Sequence, residues 1–155
     1  MSYKRKTWRE KLVDNKGFPK VIDAATSKRG GTGTFVIPAP LEVDELMRHV
    51  PKGKLITIEK LRETLARKHG ATTACPITTG IFSWIAAYAA VEAAAGSVKD
   101  TTPYWRTLKS KGELNPKYPG GIPALKRKLS GEGHKIVQKG KRFFVADFEK
   151  HLAAI

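Results

Sequence analysis

The chain has 155 residues, and its 29 lysines and arginines against 14 acids leave a formal charge of +15. That length suits one domain with a single core, which 41% hydrophobic residues can fill, and the charge points to a polyanion, most simply nucleic acid, ahead of charge carried for solubility or for another anionic partner. The one cysteine, Cys75, excludes an internal disulfide framework and a cysteine-built zinc site and fits a reducing, cytoplasmic setting.

Taken in chain order, residues 1–40 read as a basic N-terminal arm. Lys4, Arg5, Lys6, Arg9, Lys11, Lys16, Lys20, Lys28 and Arg29 lie in it with few acids. Its first residues are charged with no apolar stretch behind them, unlike a signal peptide. The arm is either a solvated tail or a DNA-touching segment. Gly30, Gly31 and Gly33 precede Phe35-Val36-Ile37, a short strand. No Gly-Lys-Ser/Thr follows these glycines, so they are not a phosphate loop.

Pro38 and Pro40 then prepare a helix, and the compact domain is placed at residues 41–155. Val43, Leu46, Met47 and Val50 recur at helical spacing. Thr57 is set to cap a second helix with the stripe Ile58, Leu61 and Leu65, closed by Gly70. Pro76 opens a third helix that runs to about residue 95. Its large residues (Ile77, Ile81, Trp84, Ile85, Tyr88 and Val91) are expected to face the core, and Thr79, Ser83, Ala86, Ala87, Ala90 and Ala94 the other way. Thr78, Thr79, Ser83 and Glu92 interrupt it, so it reads as a buried helix rather than a membrane span.

Residues 96–121 read as an irregular, functional loop. Pro123 starts a short basic helix through Leu129. Residues 134–138 and 142–146 alternate like strands around Lys139-Gly140-Lys141, and Asp147 is placed as the cap of a last helix carrying Phe148, Leu152 and Ile155. The fold class predicted is mainly α with a small β-hairpin, in a winged helix-turn-helix-like arrangement. The hairpin tip then offers Lys139, Lys141 and Arg142 to phosphates.

Four segments carry a family resemblance: residues 50–57 (Val-Pro-Lys-Gly-Lys-Leu-Ile-Thr), the helix start at residues 76–83, the loop from Pro103-Tyr104-Trp105-Arg106 to Tyr118-Pro119-Gly120-Gly121, and Glu132-Gly133-His134. Together they cover residues 41–135. They resemble the O6-alkylguanine-DNA alkyltransferases (methylated-DNA–protein-cysteine methyltransferases), in their C-terminal DNA-binding domain. The type is similar to the alkyltransferase-like proteins that lack the reactive cysteine. The family pattern is Pro-Cys-His-Arg-Val; here Tyr104 stands at the cysteine and Trp105 at the histidine. The resemblance implies double-stranded DNA, alkylated or otherwise damaged, as partner, a repair context and no cofactor. It implies no alkyl transfer at position 104, because a phenol with a pKa of about 10 is a poor nucleophile near neutral pH and an indole is not a base. The arginine with which the family fills a vacated base stack is also missing; Gly80 aligns with it, and Ile58 with the supporting tyrosine.

On that basis Tyr104, Trp105, Tyr118 and Glu132 are candidates for a lesion pocket, by stacking and hydrogen bonding, or simply fill the space of the lost cysteine machinery. Thr78, Thr79, Gly80, Phe82 and Ser83 on the third helix, with Arg106, Lys126, Arg127, Lys139, Lys141 and Arg142, are the DNA-binding candidates, although Thr78, Thr79 and Ser83 equally suit packing against a neighbouring helix. Phe82 is the preferred apolar wedge, because periodicity makes Ile81 core. Cys75, beside a helix N-terminus, is an alternative nucleophile for a divergent alkyltransferase, although a lone cysteine more often acts as a small buried hydrophobe. A third reading is a nucleic-acid-binding adaptor that recognises no lesion. The four histidines show no metal-ligand spacing, so no metal is expected.

Overall fold

The computed structural model describes residues 6–24 and 33–154. Lys4, Arg5, Lys28, Arg29, Gly30, Gly31 and Ile155, named above, lie outside the described residues. The chain opens with α1 (Trp8–Val13), which Thr7 caps by accepting a hydrogen bond from the Glu10 amide at 3.1 Å. Strand β1 (Lys20–Asp23) follows, then β2 (Thr34–Ile37), paired antiparallel with Val21 opposite Val36. Helix α2 spans Pro40–Arg48, and β3 is Ile56–Thr57. Helix α3 (Ile58–His69) starts at the Thr57 cap and stops at Gly70, whose φ of 65° is the left-handed conformation glycine adopts without strain.

Strand β4 (Thr73–Ala74) joins β2 in parallel, and α4 (Pro76–Ala95) begins at its proline. Strand β5 (Thr107–Leu108) pairs in parallel with β3. Helix α5 (Gly121–Gly131) leads to the hairpin of β6 (Ile136–Lys139) and β7 (Arg142–Val145), in which Lys139 faces Arg142 across the turn. The architecture is thus mainly helical with small sheets, built on a core that includes Val43, Met47, Leu55, Leu61, Leu65, Leu108, Leu125 and Leu129.

Four expectations are corrected. First, the described part of the N-terminal arm is no free tail. Leu12 is buried, Trp8 stacks on Tyr88 at 4.8 Å and meets Trp84 edge-on at 5.3 Å, and the Trp8 and Arg9 amides donate to Glu92 at 3.0 and 3.1 Å. β1 and β2 add a sheet to the same body, so packing does not break at residue 40.

Second, α4 faces the core only in part as expected: Ile85 is buried and Trp84 packs against the core, but most of its small side is buried as well. Thr79, Ser83, Ala86, Ala87 and Ala90 are buried, whereas Ile77, Ile81 and Val91 are exposed. Small side chains let α1 and α2 lie close against α4, and dispersion contacts grow with that proximity. Although α4 is long and apolar enough to cross a membrane by length and composition, its small face is occupied by these helices.

Third, residues 96–121 are partly regular. They hold β5 and two short 3-10 turns, Tyr104–Arg106 and Ser110–Gly112. Fourth, the last helix is a single 3-10 turn, Phe148–His151. Asp147 does not cap it; it sits at φ 54° and makes no side-chain cap bond. Leu152 instead bridges to Leu55.

Candidate nucleic-acid interface

Glu132 is the meeting point of three segments that are distant in sequence. It follows α5, and its Oε2 accepts from the Trp105 indole N–H at 3.0 Å. Arg106 closes on it with Nε to Oε1 at 2.9 Å and Nη2 to Oε2 at 2.7 Å. The Gly53 amide donates to Oε1 at 3.4 Å, and Arg106 Nη1 donates to the Val50 carbonyl at 2.7 Å. Burial pushes the Glu132 carboxyl up, but the hydrogen bonds from Arg106 and Trp105 outweigh it and hold the group below its ordinary value. The indole thus makes the N–H donation that an imidazole would make to this carboxylate, without a second nitrogen to accept a proton.

This hub corrects the reading of Arg106 as a phosphate contact. Both Arg106 and Glu132 are mostly buried, and the guanidinium is spent on Glu132 and Val50. Glu132 in turn offers no free edge as a pocket wall.

Tyr104 and Tyr118 are only 5% and 2% exposed. Tyr104 meets Trp105 edge-on at 5.4 Å and Tyr118 at 5.9 Å. Burial pushes the Tyr118 hydroxyl up to about 12, moderated by a hydrogen bond with Ser83. Burial raises Tyr104 too, against the nearby charge of Arg127. The two phenols therefore fill the interior and do not line an open cleft. Trp105 is half-buried, with Lys128 Nζ over its ring at 4.5 Å.

On α4, Thr79 and Ser83 are fully buried and bond the carbonyls of Cys75 and Gly80 at 2.7 Å each. Phe82 is 4% exposed and Ile81 45%, which reverses the expected wedge assignment. Ile81 and Phe82 are adjacent, so the core simply takes the face one residue round. Thr78 and Gly80 are half-buried, and a side chain at Gly80 would meet nothing within 4 Å. Cys75 is half-buried at the α4 cap, where its carbonyl also accepts from the Thr79 amide at 3.1 Å. His69, one candidate base for it, is committed to Glu42 at 2.6 Å, and His134 packs against His151 with ring centroids 5.0 Å apart.

The remaining candidates are exposed cations on adjoining elements: Lys126 and Arg127 on α5, with Lys128 beside them, and Lys139, Lys141 and Arg142 at the hairpin tip. Lys126 Nζ rests 5.2 Å from the Phe143 ring, which ties α5 to the hairpin. Arg142 is held by Glu113 at 2.6 Å, and that bond keeps the Glu113 carboxyl below its ordinary range. No group of three or more His, Cys, Asp or Glu residues that could hold a metal occurs among the described residues.

This chain is similar to Atl1 of S. pombe in a crystal structure with damaged DNA containing O6-carboxymethylguanine. The TM-score is 0.51 at 18% identity, over 75% of this chain and 94% of that one. A second structure, S. pombe ATL in complex with DNA, gives a TM-score of 0.54 at 18% identity over the same shares. The chain has an alkyltransferase-like fold. No family model matches it, and no curated protein does.

Within the alkyltransferase-like fold, sequence reasoning missed Glu113, which positions Arg142, and the aromatic seats of the basic side chains. One signal was available. Phe143 and Phe144 are consecutive on a strand, so their side chains point to opposite faces and one of them must leave the core.

Proposed function

We propose that this protein binds duplex DNA through α5 and the hairpin, in an alkylation-repair context, and transfers no alkyl group to position 104. The observation that carries this reading is the set of exposed cations Lys126, Arg127, Lys128, Lys139 and Lys141 on two adjoining elements. The likeness to S. pombe Atl1, whose structure holds damaged DNA, supports it. In this reading the hairpin acts as the wing of a winged helix and contacts phosphates, which position the protein without reading bases. The residues given to DNA on α4 become Ile77, Gly80 and Ile81, the accessible part of its N-terminal half, since the Thr78 hydroxyl is buried. Trp105 completes the Glu132 hub, and the lone cysteine fits a reducing compartment.

The burial of Tyr104 and Tyr118 favours a second reading, an adaptor that binds DNA without recognising a lesion. A flipped base needs a pocket, and these rings occupy the interior. Competition between a duplex bearing O6-alkylguanine and the same duplex without it decides between the two: a preference supports lesion sensing, and equal affinity supports the adaptor. If about five cations neutralise phosphates, the log-log salt slope is roughly −4 to −5. Affinity that stays flat between low and moderate salt would sink both readings.

A further inference from the structure

The outer face of the hairpin carries a cavity of about 290 Å³ that lies apart from α4 and from the Glu132 hub. Its apolar lining includes Val137, Phe144 and Phe148, and Lys111, Lys139 and Lys150 stand in its wall. Val137 and Phe144 are cross-strand partners, so they share one face. The Phe144 ring holds two cations, Lys139 Nζ at 5.5 Å and the Arg142 guanidinium at 5.4 Å. Glu113 fixes Arg142 there and bridges to Phe144 through the backbone. Two lining residues, Lys111 and Asp147, have φ of 62° and 54°, a left-handed backbone that aspartate tolerates but that is uncommon for lysine. Such conformations persist where surrounding contacts impose them, and they gather at ligand sites.

We infer that this cavity receives an unpaired nucleotide of single-stranded DNA, with its base on Phe144 and its flanking phosphates on Lys111, Lys139 and Lys150. An aromatic ring bordered by lysines is the combination that holds single strands, since every base has a face to stack and every linkage a charge to neutralise. Lys139, seated on the ring, moves to a phosphate when a base takes its place, while Arg142 stays with Glu113. Asp147 and Glu149 also line the cavity. Their charges disfavour a bare anion, while carboxylates accept hydrogen bonds from an exocyclic amino group. Cytosine, with two amino N–H donors, therefore suits the site better than thymine, which offers only its ring N3–H. The inference rests on the reading of this chain as a nucleic-acid binder and extends it from duplex to strand.

The test is fluorescence anisotropy at low salt with the full chain, using a deoxycytidine oligomer, a deoxythymidine oligomer and an abasic strand of equal length, beside the plain duplex. The deoxycytidine strand binds most tightly, and Phe144→Leu lowers its affinity about tenfold. Equal binding of the abasic and deoxycytidine strands overturns the site, and so does an unchanged affinity in Phe144→Leu. Equal binding of deoxythymidine and deoxycytidine overturns the role given to Asp147 and Glu149. Should Phe144→Leu fail to fold, the double variant Lys111→Ala, Lys150→Ala decides, because both side chains are exposed. It flattens the single-strand salt slope by about 1.4 if each lysine neutralises one phosphate, and an unaltered slope sinks the site. Duplex binding without strand binding refutes this inference alone; strand binding without duplex binding refutes only the duplex reading.

Discussion

The phenol of Tyr104 sits between Trp105 and Tyr118, and burial makes it harder to ionise than a free tyrosine. Ionisation is what a nucleophilic phenol would require. Incubation with a duplex carrying O6-alkylguanine therefore adds no alkyl mass to the protein, and Tyr104→Cys adds none either. The substituted thiol would be buried and would have Trp105, not a base, beside it. An intact-mass increase of one alkyl group in either protein would refute this, and loss of the adduct in Cys75→Ser would name Cys75 as the nucleophile. Arg106 leads to a different expectation. Its removal leaves Glu132 mostly buried without its ionic partner, a situation that costs about 3 kcal/mol. Arg106→Ala accordingly loses about that much in urea denaturation while the salt slope of DNA binding stays unchanged. A flatter slope with intact stability would return Arg106 to the phosphates.

At the scale of elements, α1 is held by rings and by one carboxylate. Trp8→Ala removes the stack on Tyr88 and the edge contact with Trp84, and is expected to cost about 2 kcal/mol, below the range for fully buried aromatics because Trp8 is only half-buried. Wild-type stability in that variant would mean that α1 detaches without consequence. The helices that carry their own punctuation were legible in the sequence. Thr57, Gly70 and Pro76 mark where α3 begins and ends and where α4 starts, through hydrogen bonds and dihedral preferences that act within a few residues. The facing of α4 was not legible, since it is apolar on both sides and only the partners decide which side is covered. The N-terminal elements escaped notice for the same reason. Glu92 and Tyr88, which hold α1, lie far along the chain, and no local pattern in a lysine-rich segment announces them. In the site, the likeness of residues 50–57, 103–106 and 132–134 to one family was readable and these segments do converge on Glu132. Burial was not readable from it, so Arg106, Phe82, Thr79 and Ser83 were given to DNA when the interior holds them.

Across the whole molecule, acid acts through His134 before it acts through the carboxylates. His134 is buried, neither ring nitrogen has a hydrogen-bond partner among the described residues, and its pKa lies below the ordinary 6.5. Burial is the main cause, with His151 and Arg106 adding to it and Glu132 opposing. The unfolded chain thus takes up this proton first. Stability from neutral His134 is complete above pH 6.5 and is lost as pH falls through the lowered folded value. Glu42 and Glu132 have depressed values, so their contribution is complete above 4.5 and is lost as pH falls through their own folded values. Urea denaturation across pH therefore finds a first decline starting near 6.5 and a second below 4.5; only the first is absent in His134→Leu. A first decline that persists in that variant would assign it elsewhere. The Glu92 contact also sets an order of events during synthesis. The Trp8 amide and the carboxylate that receives it are 84 residues apart. At roughly 5–20 residues per second, the ribosome takes roughly 4–17 s to supply that carboxylate. For that interval Trp8 and Leu12 have no α4 to cover them, and the nascent chain presents a cationic, aromatic segment to whatever polyanion is nearest.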